Sequence, residues 1–250
     1  MLNKSMKVDI ISSVFNCDVF LEGFFIDLTK QTFFDNCNLI LVAPNPSGKL
    51  KKMYNLYKSR FNNINLIELE SDLGISHCLN TAIRNGTSPY ITIANTDDRK
   101  RTDSIERHYL ELELNPDIDL VYAPSLLSRK PNDTYELQSC DSIYPCYEFA
   151  GIDGLLKHNS PHSNPMWRRS MHDKNGLFDE TLKSCSDSDM WMRAVLSGSK
   201  FKMIPEILGL YYFNPEGMST GKKNAEERAR EERQKDLKYL NAKNEQKIIS

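Results

Sequence analysis

The sequence predicts an α/β fold: a mostly parallel central sheet with helices on both faces, built as a single domain and followed by a charged C-terminal helix. Three observations carry that expectation. Short apolar runs alternate with stretches of helical spacing through the first half of the chain. Clusters of Pro, Gly, Asn, Asp and Ser punctuate the ends of those runs. The 250 residues are 40% hydrophobic and 26% charged, a balance that suits a water-exposed surface around one large core.

The elements follow in order. Residues 8–14 read as a buried strand, and Phe20, Leu21, Phe24, Phe25 and Leu28 then recur at helical spacing. Residues 38–43 form a second strand, closed by Pro44-Asn45-Pro46-Ser47-Gly48. Residues 50–61 read as a helix, 64–69 as a third strand, and 75–84 as a helix ended by Asn85-Gly86. Residues 90–94 make a fourth strand that runs into Asn95-Thr96-Asp97-Asp98. The next helix begins near Asp103, with Glu106 three residues on as in a capping box, and ends before Asn115-Pro116. Residues 120–123 are a strand, and 124–165 are irregular with a short strand or two. Residues 187–197 form a helix, and 201–204 and 207–213 are strands. From Lys222 onward the chain is highly charged, with a thin stripe of Ala225, Ala229, Leu237 and Leu240 that predicts a solvated helix docked along one narrow face. The expected division is a domain over residues 1–220 and a helical extension over 221–250.

Strands joined by helices imply right-handed crossovers, and such sheets bind ligands beyond the carboxyl ends of their strands. Three polar clusters fall at those ends: Ser12-Ser13-Val14-Phe15-Asn16, Pro44-Asn45-Pro46-Ser47 and Asn95-Thr96-Asp97-Asp98.

The bulk numbers exclude some classes. A net charge of −2 offers no broad positive field for a polyanion, so nucleic acid is not an expected partner. The six cysteines are scattered, with no CxxC pair and no zinc spacing, which predicts reduced thiols. Residues 1–7 lack the apolar core and cleavage site of a signal peptide. No apolar stretch is long enough to span a bilayer. A cytoplasmic protein is expected, one compatible with peripheral contact at the membrane's inner face.

Two acidic segments and one mixed cluster carry chemistry. In Asn95-Thr96-Asp97-Asp98, adjacent carboxylates at a strand end repel unless a cation or hydrogen-bond donors compensate. Hard divalent cations often bridge one or two carboxylates to substrate phosphates; the alternative is an acidic cap or turn before the next helix. In Ser186-Asp187-Ser188-Asp189, one carboxylate can serve as a helix cap and the other as a general base. In residues 158–169, Trp167 can stack on a ligand or pack in the core, and Arg168 or Arg169 can pair with a phosphate. His158 and His162 lack a third metal ligand at suitable spacing.

The order of these segments resembles the family-2 glycosyltransferases, inverting enzymes of the GT-A nucleotide-diphospho-sugar transferase fold. The resemblance covers most of residues 7–220. It rests on the opening strand and Thr29-Lys30-Gln31-Thr32, on Asp72-Leu73-Gly74-Ile75 with Leu79-Asn80-Thr81-Ala82-Ile83, and on residues 88–98 as a counterpart of "G-x-Y-I-x-x-L-D-x-D-D". Gly176-Leu177-Phe178-Asp179-Glu180 and Asp187-Ser188-Asp189-Met190-Trp191-Met192-Arg193 resemble "G-x-F-D-E" and "E-D-x-D-L-W-x-R".

The resemblance implies a metal-dependent enzyme of the hexosyltransferase class. It would move a sugar from a nucleotide-sugar, UDP-linked for example, to a glycan, glycolipid or glycoprotein acceptor, as in polysaccharide biosynthesis. Asp97 would be the main ligand for Mn²⁺ or Mg²⁺, with Asn95, Asp98 and Asn214 beside it. Asp187 would be the base, with Asp189 the second candidate. Ser13, Phe15, Asn45, Asp72, Asn80, Asn95, Thr96 and Asp97 would contact the nucleotide-sugar donor. Met166, Trp167 and Arg168 would shape the sugar and acceptor pocket. Three positions depart from the pattern: Asn95 for the first Asp, Pro44-Asn45-Pro46 for an acidic strand end, and Ser186 for Glu. Asn95 and Ser186 motivate an alternative, a non-catalytic nucleotide-sugar binder or structural partner. A nucleotide-dependent dehydrogenase is disfavoured, because no G-x-G-x-x-G follows the first strand.

Overall fold

The computed structural model describes residues 6–140, 142–162 and 164–249; residues 1–5 of the N-terminal segment and Ser163 of the 158–169 cluster lie outside them. The strands are β1 (Val8–Ser13), β2 (Cys37–Pro44), β3 (Ile64–Leu69), β4 (Tyr90–Ile93), β5 (Arg99–Lys100), β6 (Leu120–Tyr122), β7 (Ser125–Ser128), β8 (Pro165–Arg168), β9 (Phe201–Met203) and β10 (Gly209–Tyr212). The helices are α1 (Leu21–Thr29), α2 (Gly48–Lys58), α3 (Ile75–Asn85), α4 (Ser104–Leu114), α5 (Gly151–Leu155), α6 (Met171–Asn175), α7 (Ser186–Leu196) and α8 (Ala225–Ile249).

A seven-stranded sheet has the order β3-β2-β1-β4-β8-β6-β9, and β5-β10-β7 form a smaller sheet. Successive strand side chains point to opposite faces. Val8, Ile10, Leu39 and Leu41 therefore pack with Phe24, Phe25 and Leu28 of α1, Leu50 of α2 and Ile105 of α4. Ile11, Ile40, Val42 and Ile91 pack on the other face with Leu79 of α3, Met171 of α6 and Trp191 of α7. Burial on both faces explains why these strands read as near-continuous apolar runs. The expected α/β architecture is present.

Sheet topology sets the site. The chain runs outward from β1 through β2 to β3, then returns to place β4 on the other side of β1. Strand order reverses between β1 and β4, and in such sheets ligands bind at the carboxyl ends of the strands beside that reversal. Asn16 and Asn45 adopt positive φ just past β1 and β2, a conformation asparagine tolerates better than branched residues.

Four expectations need correction. First, α2 starts at Gly48, earlier than its apolar pattern, because Ser47 Oγ accepts the Leu50 N–H at 3.0 Å and caps it. Second, Asp103 makes no capping bond. Its carboxylate takes Arg101 Nε at 2.5 Å, and Glu106 accepts the Thr32 hydroxyl at 2.7 Å. A guanidinium offers two charge-assisted bonds where the helix end offers one weaker donor. Third, β8 lies inside the segment read as pocket. It pairs antiparallel with both β4 and β6, within a sheet that is mostly parallel as expected.

Fourth, the apolar stripe of α8 is not its docking face. Leu237 and Leu240 are 55% and 41% exposed, and Ala229 is also exposed. The helix docks through polar contacts on the start of α7. Glu231 accepts the Lys183 and Ser184 N–H groups at 2.7 Å each, and Lys235 donates to Ser188 Oγ at 2.8 Å. Lys238 and the buried Tyr239 hydroxyl donate to Asp189 Oδ1 at 2.9 and 2.6 Å. Helical periodicity seeks an apolar stripe, whereas here the contact is a set of charge-assisted hydrogen bonds around one aromatic. Tyr239→Phe removes a hydroxyl bonded to a buried carboxylate, so we expect a loss of about 2 kcal/mol in urea unfolding.

Cys17, Cys37, Cys78 and Cys185 are buried free thiols. Among the described residues, no helix is long and apolar enough to cross a membrane.

Candidate active site

The turn after β4 is built from hydrogen bonds between its own residues and the small sheet. β5 follows the turn directly and pairs with β10, Gly209 opposite Lys100 and Leu210 opposite Arg99. That register sets Tyr212 against the turn, and its N–H donates to Asp98 Oδ1 at 3.0 Å. Asn95 Nδ2 donates to Asp98 Oδ2 at 2.9 Å. Arg99 closes the turn by donating to the Thr96 carbonyl at 2.9 Å.

The two adjacent carboxylates thus part company. Asp98 faces inward with both oxygens occupied, and burial together with the neighbouring Asp97 charge pushes its carboxyl up to about 7. Its expected place among the metal ligands is corrected: it holds the turn in shape. Asp97 takes the other direction, where Asn214 Nδ2 donates to its Oδ2 at 3.1 Å. Asn95, Asp97, Asp98 and Asn214 are therefore brought together, and Asp97 is the carboxylate among them not committed to the interior.

Beneath the turn, Asp27 accepts the Lys100 N–H at 3.1 Å, and Lys100 Nζ donates to Asn164 at 2.7 Å. Burial pushes Asp27 up to about 7 and Lys100 down to about 8, each opposed by the other's charge. These groups brace β5 from below.

The expected nucleotide contacts fall into two sets. Ser13, Phe15, Asn45 and Asp72 sit at or just beyond the ends of β1, β2 and β3, on the same edge as the acidic turn. Phe15 is 43% exposed, Asp72 caps its own turn through the Gly74 N–H at 2.9 Å, and Thr96 is nearly buried. Asn80 belongs elsewhere, which corrects its expected role. It is 1% exposed, donates to Phe178 O and Glu180 Oε1 at 2.8 Å each, and accepts the Phe178 N–H. It ties α3 to the loop before α7.

The start of α7 supplies the second half of the site. Ser186 is buried, and Ser76 of α3 donates to its Oγ at 2.8 Å. Asp187 is half-buried, and Asn159 Nδ2 donates to its Oδ2 at 2.8 Å. Burial drives His162 toward its neutral form, while the nearby Asp187 charge pulls the other way. His162 in turn stacks on Tyr144 at 5.1 Å and meets Tyr211 edge-on. Asp189 faces the other way. Burial raises its carboxyl, but bonds from Tyr239, Lys238 and Arg193 overcome that and hold it below the ordinary value. A carboxylate so occupied is not free to take a proton, so Asp189 is corrected from second base to anchor of α8.

The sequence cluster at 158–169 splits in two. Residues 158–162 lie beside Asp187, but Met166 and Trp167 are 1% and 0% exposed within the sheet. Arg168 donates to the Ile118, Leu112 and Asn115 carbonyls. Met166 and Trp167, closed off in the sheet, have no face left for a ligand, and Arg168 spends its guanidinium on those carbonyls and the Tyr90 hydroxyl, so all three are removed from the sugar pocket. Among the described residues, no group of three or more His, Cys, Asp or Glu is placed to hold a metal.

Comparison with known proteins decides the family. Residues 9–176 match the sequence profile described as Glycosyl transferase family 2. The chain belongs to that family. This family-2 chain is 25% identical over 209 residues to the uncharacterized glycosyltransferase MJ1057 of Methanocaldococcus jannaschii, covering 82% of this chain and 70% of that one. It is 26% identical over 223 residues to the uncharacterized glycosyltransferase EpsJ of Bacillus subtilis, covering 85% of this chain and 62% of EpsJ. The fold of S. aureus TarS 1-349 in complex with UDP superposes with a TM-score of 0.70 at 16% identity, covering 84% of this chain and 62% of that one. The mannosyltransferase PcManGT from Pyrobaculum calidifontis, in complex with GDP-Man and Mn²⁺, gives 0.65 at 16% identity, with coverages of 86% and 59%. The chain thus spans about three fifths of EpsJ and of these structures, and its fold is of the GT-A type.

Proposed function

We propose that this chain is an inverting glycosyltransferase that moves a sugar from a nucleoside-diphosphate donor to an acceptor hydroxyl. The observation that carries this is a pair of half-sites joined by packed aromatics: His162, beside Asp187, stacks on Tyr144, which packs on Tyr211, beside Asp97 and Asp98. Asp97 and Asn214 meet just past β4, and Asp187 stands free of ion pairs at the start of α7 (among the described residues). One suits a diphosphate, the other a hydroxyl.

In the step we propose, the acceptor oxygen attacks the anomeric carbon from the side opposite the diphosphate. The bond from that carbon to the diphosphate oxygen breaks, its electron pair leaves with the nucleoside diphosphate, and the hydroxyl proton passes to Asp187. General-base help of this kind contributes roughly 10²- to 10⁴-fold. Inversion follows from attack opposite the leaving group.

The residues present fit a divalent cation carried on the donor. Asp97 would supply the uncommitted carboxylate, with Asn95 beside it in the turn, and Mg²⁺ commonly needs only one or two protein carboxylates beside substrate phosphates; Asn214 braces Asp97 through its amide nitrogen and keeps its oxygen on the Glu216 N–H. When bound, the cation neutralises charge on the diphosphate. Mn²⁺ is the first to test, because PcManGT holds it. A UDP-sugar is the first donor to test, because TarS structures hold UDP and UDP-GlcNAc. We place the reaction in surface polysaccharide, glycolipid or glycoprotein synthesis at the cytoplasmic face of the membrane, with no nucleic-acid partner.

A thermal-shift series with UDP- and GDP-sugars, with Mn²⁺ and with EDTA, tests the reading. A ligand at a hundredfold its Kd adds about 2.7 kcal/mol to apparent stability, or about 5–10 °C for a domain of this size. No shift with any donor would overturn it. Donor binding without nucleotide release in any acceptor mixture would favour the non-catalytic alternative.

A further inference from the structure

We propose that the cavity between β6 and α5 is a subsite for one sugar ring of the acceptor glycan. The proposal rests on the transferase reading and names what that transferase acts upon. The cavity has a volume of about 210 Å³, and its walls include Tyr122, Tyr147, Phe149, Asp153, Lys157 and His158. That is room for a monosaccharide unit.

The chemistry of the walls fits a pyranose. Tyr147 and His158 stack on each other at 4.2 Å, and both are exposed. A sugar ring presents an apolar C–H face that lies well on such rings, while its edge carries hydroxyls that need polar partners. Glu148, Asp153 and Lys157 supply those at the rim. The stacked pair is held by backbone bonds that its side chains do not make. Tyr122 Oη donates to the Tyr147 carbonyl at 2.7 Å, and the Tyr147 N–H donates to Ser160 Oγ at 3.1 Å. Lys243 of α8 reaches Asp153, so the C-terminal helix closes the outer side of α5.

The wall also leads to the reacting group. Asn159 lies in the chain between His158 and Ser160, both wall residues, and its amide donates to Asp187 at 2.8 Å. Its other amide atom, Oδ1, is buried without a hydrogen-bond partner among the described residues. A buried amide oxygen left unpaired is costly. That atom is sealed from the cavity, so the contact runs through the amide N–H alone, which ties the 158–160 wall to the carboxylate that takes the proton. Tyr144 and His162 stack at the inner end of the same pair of segments, next to Asp187. The aromatic faces therefore run from Asp187 outward to the cavity, the arrangement a glycan chain-end needs.

Saturation-transfer NMR with UDP present tests this, using methyl β-glucopyranoside, methyl α-mannopyranoside, methyl N-acetyl-β-glucosaminide and octyl β-glucoside as probes. Ring protons of at least one glycoside receive saturation from the wild-type protein. Tyr147→Ala weakens that glycoside roughly tenfold, as loss of a stacked aromatic face predicts. Tyr147→Phe binds as wild type, since the ring and not the hydroxyl is the platform. If Tyr147→Ala melts early, His158→Ala takes its place in the comparison. Failure of UDP to bind sinks the transferase reading. UDP binding with no ring-proton signal, with signal from the octyl chain alone, or with undiminished signal in both alanine variants sinks the subsite and leaves the transferase standing.

Discussion

Asp187→Asn lowers glycosyl transfer by about 10²- to 10⁴-fold while UDP affinity stays within twofold. The amide matches the carboxylate in shape and still meets Asn159, so the helix start keeps its geometry. What it loses is the ability to accept a proton at the moment the acceptor oxygen attacks. A loss in kcat with little change in donor KM marks an interaction made in the transition state. Asp189→Asn provides the contrast two residues away. That side chain is 2% exposed and bound by Arg193 and Lys238, so neutralising it leaves two cations without their partner. Its primary effect is on stability, a loss of several kcal/mol in the manner of a broken buried ion pair. A steady-state assay of released nucleotide, run beside urea unfolding, separates the two. Equal catalytic losses without a stability difference would return Asp189 to the site and overturn the assignment of the base.

Much of the frame was legible because the physics there is local. Strand runs such as Ile10-Ile11 and Leu39-Ile40-Leu41 are buried on both faces, so every residue is apolar and the breakers at each end stand out. The acidic turn was legible as a place, since adjacent carboxylates at a strand end need compensation. Which carboxylate faces in was not legible. That depends on the β5–β10 register, a contact between residues about 110 apart in the chain that brings the Tyr212 N–H to Asp98. The same limit applies to Asn80. Its neighbours in sequence suggested a ligand contact, but its partners Phe178 and Glu180 lie on a distant loop. On α8 the periodicity misled, because hydropathy has no weight for a docking face made of Glu231, Lys235 and Lys238 around Tyr239. The pairing of residues 144–147 with 158–162 had no signal of its own. The aromatics there stack in pairs across a loop, and irregular backbone leaves no period to read.

Trp167→Ala is expected to destabilise the fold by about 3–5 kcal/mol, the usual cost of emptying an aromatic site in a core. The ring lies 5.2 Å from Trp191 and 6.2 Å from Phe178, edge to face in both cases. Its Nε1–H donates to His172 Nε2 at 3.0 Å. That bond requires a lone pair on Nε2, so the His172 proton sits on Nδ1, where it meets the Gly176 carbonyl at 2.9 Å. Burial holds His172 below its ordinary pKa and keeps it neutral, which agrees with this tautomer. The alanine variant thus opens a void and strands an imidazole nitrogen. Trp167→Phe keeps most of the volume and strands only the nitrogen, so its loss is smaller, about 1–3 kcal/mol. Urea unfolding of the pair measures both terms. A sugar-stacking tryptophan would behave in the opposite way, leaving the unfolding midpoint unchanged and raising the KM for the sugar in both variants. The position of β8 between β4 and β6 decides the matter physically. A strand paired on both edges contributes to the rigidity of the sheet that carries the Asp97 turn and supports α7, and its Met166 and Trp167 have no surface left with which to touch a substrate.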